Sequence, residues 1–531
     1  MKTNLKHLIA AFALCMSHQA NAVFFEWFKY YNGGSTDRGL HVTTDALANV
    51  YFTGVASFGG GDKIISSAYA DDGTLLWQRT ANSYLPGTVK QVERDAALNT
   101  FVLCEISPSS FTLIRYNVNA KEKWRRNFSD NSMKFKVGNP AAVFTCGLNS
   151  SGVAMERLNK NTGVTVWSHS YADGSLLTNA YHSDFTIDPN SNVYFCGTTS
   201  MPTNYDYKMI KLNKNGGLIY NIQYDAGSSE DEETFKIAAN SAGELYVLGD
   251  YNCYIPVRDF VSMVKFSSTG VHLWNTHFHT TGPDSYTAVE VMVGTDGNPV
   301  CVGNVDDFYN VNPSGETIRI RVSKFDAATG AVIFNVTPED ASYSNPDIIE
   351  RASCMTIDGS NNIYLGGTSN VYAGVGVQPD RWLASRVNGA TGILDWVEAG
   401  VLNDASNSIA DAVVTAGSDV YLAGTENISG NPDMELIKYC QTGCFSPRFS
   451  SGEISAGGLV IFPNPSTSQF TLSGAGNDFT LSVYDISGKL LEEHELNTGT
   501  INFGEKLAAG IYVARFVSAT ENKTFRIVKT Q

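Results

Sequence analysis

Phe25-Glu26-Trp27-Phe28-Lys29-Tyr30, followed by Gly33-Gly34-Ser35-Thr36-Asp37, is an aromatic strand phrase standing alone near the start of the chain. Elsewhere the same kind of phrase comes second in a two-part repeat. The first part is a short apolar strand closing on Gly: Asn49-Val50-Tyr51-Phe52-Thr53-Gly54, then Ala142 to Gly147, Asn192 to Gly197, Glu244 to Gly249, Asn362 to Gly367 and Asp419 to Gly424, with degenerate copies at Thr100 to Cys104 and Pro299 to Gly303. The second part is a turn Gly with an aromatic four residues on: Gly73 and Trp77, Gly163 and Trp167, Gly216 and Tyr220, Gly270 and Trp274, Gly330 and Phe334, Gly392 and Trp396; Trp124 has lost its Gly. Eight first parts therefore face seven second parts, because after Gly424 the chain reaches Lys438-Tyr439-Cys440 and stops repeating. The N-terminal orphan supplies the missing strand. A ring closed in this way has no unpaired first or last blade, which an open array would have to cap. The spacing, roughly 43 to 63 residues, suits four-stranded blades. The expectation is an all-β fold, an eight-bladed β-propeller closed by its N-terminal strand, with seven blades if the degenerate second copy merges with its neighbour.

The turns Asn161-Thr162-Gly163, Ala328-Thr329-Gly330 and Ala390-Thr391-Gly392 resemble the repeats of pyrroloquinoline-quinone-type propellers. Gly33 to Asp37 and the Asp206 to Leu212 strand resemble the secreted bacterial β-propeller repeat family. The recurring aromatic is expected to pack between adjacent blades, covering roughly 150 to 250 Å².

Past the repeat the pattern changes. Phe470-Thr471-Leu472, Leu481 to Tyr484, Ile511-Tyr512-Val513 and Phe525-Arg526-Ile527 read as strands, with Asp485 to Lys489 as a turn between two of them. Pro463 and Pro465 stiffen the entry. This is a small C-terminal β-sandwich. Its ordered motifs, Pro463-Asn464-Pro465, Asp485 with Gly488 and Lys489, Gly510 with Tyr512, and the terminal Lys529, resemble the type A C-terminal sorting domain of the type IX secretion system of Bacteroidetes from Leu459 to Gln531. The resemblance implies recognition by the outer-membrane translocon, then surface attachment or release.

The other end agrees. Lys2 and Lys6 precede an apolar run from Leu8 to Met16, and Ala20-Asn21-Ala22 offers a cleavage site, the three-part plan of a secretory signal peptide. The run is too short to span a bilayer, and no transmembrane segment is expected elsewhere. The domain reading is residues 1–22 signal peptide, 23–445 propeller, 446–458 linker and 459–531 sorting sandwich. The expected partners are the Sec machinery, then the type IX translocon, and an extracellular glycan or protein. A formal charge of −16 over 531 residues, without a basic run, disfavours nucleic acid and anionic lipid.

The search for chemistry finds no catalytic constellation. Asp71 to Trp77 departs from the sialidase Asp-box, since the aromatic comes four residues after the Gly and Tyr69 stands where Ser or Thr is needed. No calcium or quinone ligand set converges in the sequence, and no cofactor or metal is expected. His277 and His279 lie two apart on a strand but lack a third ligand. Eight of the nine cysteines remain after removal of Cys15 with the signal, and they are spread out. Cys146 and Cys196 read as buried thiols. For Cys440 and Cys444, a small disulfide and two free thiols are both open.

One surface draws attention. Asp37, Glu230 to Glu233 with Glu232 at their centre, Asp284, Asp347 and Asp404 all precede a Gly-ending strand, so a ring would gather them on one face. Solvated turn carboxylates are the plain reading; a cation-bridged or sugar-binding face is the functional one. Insertions at Asp306 to Thr317 and Tyr372 to Asp380 add loops where recognition could sit. The expected function is a secreted or outer-membrane surface-attached propeller with a non-catalytic binding or scaffold role. The alternative is a propeller enzyme, carbohydrate-active or a quinone-dependent dehydrogenase.

Overall fold

The computed structural model describes residues 24–33, 36–138, 141–150, 152–172, 176, 183–200, 205–225, 230–254, 257–281, 285–306, 318–338, 348–371, 381–400, 408–417, 419–428, 431–441, 460–462, 466, 468–473, 479–485, 489–496, 500–508, 510–518 and 522–529. The chain forms two compact units, one holding most of the blade strands, the other the C-terminal strands together with residues 23–28, 72–74 and the chain from Lys438 onward.

The blades are eight antiparallel four-stranded sheets. Their first, axial strands are Asp37–Thr44, Thr88–Arg94, Asn131–Gly138, Ser183–Ile187, Glu230–Ala239, Ser285–Val293, Ile348–Ile357 and Ser408–Ala416. Each packs against the next, and the last returns to Asp37–Thr44, so the ring closes. Blade eight completes itself with the N-terminal strand Phe24–Tyr31, hydrogen-bonded outside Asn431–Cys440, as the orphan phrase requires. Lys438, 1 % exposed at its side chain, meets Glu26 of that strand at 2.9 Å. Among the described residues, a parallel pair, Ile318 with Ile349, joins blades six and seven.

The Gly expected to close each second strand lies inside it instead. Val50–Phe58, for example, runs four residues beyond Gly54. In three blades the Gly sits opposite a bulge in the axial strand. Leu40, Phe235 and Ser353 are the extra residues of blades one, five and seven, and Gly54, Gly249 and Gly367 pair with the residue just before them. A bulge sets two residues against one and bends its strand locally. A Cβ on Gly54 would lie 2.3 Å from the Arg38 carbonyl oxygen, on Gly249 2.5 Å from that of Glu233, and on Gly367 1.9 Å from that of Arg351. Glycine is needed there for close approach rather than for an unusual φ.

The aromatic phrase falls on the outer strands, and its rings wedge between blades as expected. Trp124 lies against Phe101 of its own blade at 6.1 Å, and the turn Gly163 of the next blade seats on its indole. Trp167, Trp274 and Phe334 receive Gly216, Gly330 and Gly392 in the same way. Those glycines have φ between +72° and +88°, so the turn fixes them twice over. Trp124, Trp167 and Trp274 each donate their indole N–H to a carbonyl of that turn, at 3.0 to 3.2 Å.

In the second unit, Val460–Phe462, Phe470–Ser473 and Thr500–Phe503 form one sheet. Leu490–Leu496, Phe479–Asp485, Gly510–Ser518 and Asn522–Lys529 form the other. Phe470, Leu472, Leu481, Val483, Phe503, Tyr512, Phe516 and Ile527 make a shared buried core.

Candidate functional site

The third-strand lysines decide how much of the charge is structural. Lys211, Lys265 and Lys324 are buried. Lys211 Nζ donates to the Gly243 and Ser268 carbonyls of the next blade, both at 2.8 Å. Lys265 reaches Ala327 at 2.8 Å and Lys324 reaches Gly389 at 2.5 Å in the same manner. Glu244 and Asp296 neutralise these two at 2.9 and 2.7 Å. The lysine of the Asp206 to Leu212 motif is thus a clamp between blades.

A cavity of about 1260 Å³ is lined by the axial strands of blades two to six, with Met355 of blade seven. Charge of both signs faces it. Lys134 bridges to Asp184 of the next blade at 2.8 Å, and Asp184 accepts the Ile237 N–H of the blade after that at 3.0 Å. Glu93 pairs with Lys136 at 3.3 Å and accepts Val137 N–H at 2.8 Å. Gln91 brackets Phe135, accepting its N–H and donating to its carbonyl. Asn304 does the same to Ala352. Burial works to lift the Asp184 carboxyl, but Lys134, Lys236 and the Ile237 N–H hold it below the usual range. Glu290 differs: burial and the nearby Asp184 raise it, against the pull of Lys236 and Lys136.

The acidic residues that sequence reasoning singled out divide. Asp284, Asp347 and Asp404 lie outside the described residues. Asp37 and Glu232 are fully buried rather than displayed on a face. They occupy one repeat position, two residues before the axial residue that pairs with the second-strand Gly. Asp37 accepts N–H bonds from Gly33 and, at 3.3 Å, Ser57. Across the seam from blade eight stand Asp433, bonded to Asn32 at 3.1 Å, and Glu426. Burial, then Asp37 and Glu426, push the Asp433 carboxyl up to about 6. At the seam of blades four and five, carboxylate oxygens of Asp206, Asp225 and Glu232 lie within 4.8 Å of one another. Gln223 donates to Asp206, whose pKa is nonetheless raised by burial and by Asp225 and Asp231. Sequence reasoning missed Asp206, Asp225, Asp433 and Asn32 as neighbours, although Asp206 opens the quoted repeat motif.

His277 Nδ1 lies 2.6 Å from Ser262 Oγ, its cross-strand partner between the third and outer strands of blade five. Thr112 with Asn127 and Ser323 with Asn335 make the same kind of pair in other blades, at 2.8 and 3.0 Å. His277 therefore belongs to a structural series, and the His279 side chain is outside the described set. Cys146 and Cys196 are free and buried. Cys440 is disulfide-bonded; Cys444, the partner in one of the two readings, lies outside the described residues. The two long insertions do too, beyond Asp306 and Val371.

In the C-terminal unit, Lys529 is 6 % exposed and donates from Nζ to the Gly504 carbonyl at 2.9 Å. Tyr512 donates to the Ala508 carbonyl at 2.8 Å. These motif residues hold the domain together, while Lys489 stands exposed on the hairpin turn and Gly510 begins the strand that carries Tyr512. Asp485 ends the hairpin's first strand. Pro463, Asn464, Pro465 and Gly488 lie outside the described residues.

Residues 460–530 match the family model described as "Secretion system C-terminal sorting domain". The chain is accordingly a cargo of the type IX translocon, secreted or attached at the outer-membrane surface. No curated protein matches it. Among solved structures it is similar to the polysaccharide lyase Uly1, at 10 % identity over 77 % of this chain and 91 % of that one, TM-score 0.41. Sqt1 from Chaetomium thermophilum matches at 9 % identity over 80 % of this chain and 100 % of that one, TM-score 0.46. The dihydro-heme d1 dehydrogenase NirN matches at 11 % over 87 % and 76 %, TM-score 0.42. At these values none lends the chain a substrate. No helix among the described residues is long and apolar enough to cross a membrane.

Proposed function

We propose that the exported propeller is a non-catalytic binding scaffold for an extracellular glycan or protein. The observation that carries this reading is the use made of the axial carboxylates. Asp184 and Glu93 are each held at once by a lysine and by a backbone N–H of the following blade. Groups engaged on two sides brace the ring and are poorly placed to exchange protons with a substrate. Recognition then falls to loops on a rigid support.

Glu290 is the observation that favours an enzyme. A half-buried carboxyl with a raised pKa, facing the cavity between lysines, is a candidate general acid. Incubating the mature protein with cell-surface and algal polysaccharides, while following both retention and product release, separates the two. Retention without new reducing or unsaturated ends is expected. Product release that disappears in Glu290→Gln would overturn the scaffold reading.

A further inference from the structure

Two neighbouring residues of the axial ring do not brace it. Gln91, Lys134, Asp184, Lys236 and Glu290 hold one register position in blades two to six, each opposite the residue just before the second-strand Gly or, in blade two, before Cys104. The first three reach the next blade: Gln91 to Phe135, Lys134 to Asp184 and, at 2.6 Å, to the Ser183 carbonyl, and Asp184 to the Ile237 N–H. Lys236 has no hydrogen bond or ion pair among the described residues. Glu290 accepts the N–H of Val291, its own successor, at 3.1 Å, and the tie from blade six to blade seven is made by Asn304 instead.

Both residues are half-buried and line the cavity of about 1260 Å³. The other lysines on its wall are each matched, Lys90 with Glu105 at 2.6 Å, Lys134 with Asp184 and Lys136 with Glu93. The field of Lys236 reaches Asp184 and Glu290 and favours the ionised form of each, from beyond the 4.0 Å of an ion pair. An ammonium and a carboxyl set apart in a half-buried wall are stabilised by a solute that offers each a polar partner, because neither is fully solvated there.

We propose that the central cavity binds an anionic saccharide, with a uronate carboxylate on Lys236 Nζ and a sugar hydroxyl on Glu290. The class of ligand rests on the glycan-binding reading above; the place rests on Lys236 and Glu290. A carboxylate on an ammonium makes a bond about twice as strong as a neutral one, which a neutral sugar does not supply. An acidic peptide supplies the carboxylate without hydroxyls beside it. Glu290 accepts from a hydroxyl when ionised and donates to one when protonated. Met292 and Met355, on the same wall, give the C–H face of a sugar ring an apolar, adaptable surface. The volume exceeds the roughly 300 to 1,000 Å³ of sites for drug-sized ligands, so there is room for an oligosaccharide. The formal charge of −16 does not forbid this, since exposed charges beyond about 8 Å are largely screened at physiological salt.

The test is calorimetric titration of the full-length mature protein with three probes: cellotetraose; tetraglucuronic acid, its counterpart with every primary alcohol oxidised to a carboxylate; and a tetraglutamate peptide. The uronic acid is expected to bind about tenfold or more tightly than cellotetraose. Lys236→Met should remove that advantage and leave the unfolding temperature unchanged, since no partner is lost, whereas Lys134→Met, which breaks a brace, should lower it. Lys121→Ala, exposed on an outer turn, should bind as the parent does. Uronate binding undiminished in Lys236→Met would overturn the proposal and leave the glycan reading standing, as would tetraglutamate bound as tightly as the uronate. An unfolding temperature lowered as far in Lys236→Met as in Lys134→Met would make Lys236 a brace and also overturn it. A protein that retains no polysaccharide at all would remove the glycan reading and the proposal together.

Discussion

Gly367→Ala is expected to destabilise the propeller by about 3 kcal/mol or more, at the upper end of overpacking costs. The added methyl would lie 1.9 Å from the Arg351 carbonyl oxygen and 2.9 Å from Ala352 Cα. Both are backbone atoms of the bulged axial strand, so no rotamer change relieves the clash. Either the bulge at Ser353 is lost or the strands part. Losing the bulge would move the Ser353 bond to the Ala410 carbonyl, which ties blade seven to blade eight. Gly59→Ala is the matched control. No atom lies within 4 Å of its would-be Cβ, and a change within about 0.5 kcal/mol is expected there. Thermal and urea unfolding of the two variants beside the parent would read the difference, and equal midpoints would remove the close-approach explanation of the repeated Gly.

Lys324→Ala should cost about 2 to 3 kcal/mol. The side chain is 4 % exposed, and its removal leaves the Gly389 carbonyl without its donor and Asp296 without its counter-ion. Losing one partner of a buried pair costs about 3 to 5 kcal/mol; Asp296 keeps 30 % exposure, so water takes up part of that charge and the figure is reduced. Lys90→Ala offers the contrast. Its bond to Glu105 is as short, 2.6 Å, but Lys90 is 51 % exposed, and exposed pairs contribute about 0 to 1 kcal/mol. If both variants unfold at the same temperature, the third-strand lysines are not clamps.

The ring was legible because its evidence is one-dimensional. Trp27 without a preceding Gly phrase, and Gly424 without a following aromatic, can be matched by counting along the chain. The tail was legible for the same reason, since its motifs occur in order at one end. What each repeated residue does was not legible. Gly54 and Gly367 look like strand ends in the sequence, because a bulge belongs to the partner strand and leaves no mark on the Gly phrase. Asp37 and Glu232 read as surface acids for want of their neighbours: Asp433 lies 396 residues after Asp37 in the chain and meets it only when the ring closes. Lys134 and Asp184 likewise come from different blades, and the alternation of charge about the axis exists only in the closed form. The Lys211 clamp could have been suspected. A lysine recurring at Lys211, Lys265, Lys324 and Lys438 beside buried apolar residues needs carbonyls or carboxylates to satisfy it.

Export is tested most directly by truncating the chain after Ser455 in its native host and fractionating the cells. The sorting domain is then gone and all eight blades remain. The truncated chain should pass the inner membrane, lose its signal peptide and accumulate in the periplasm, while the full-length protein reaches the surface or the medium. Truncated protein outside the cell at the full-length level would contradict the role given to residues 460–530.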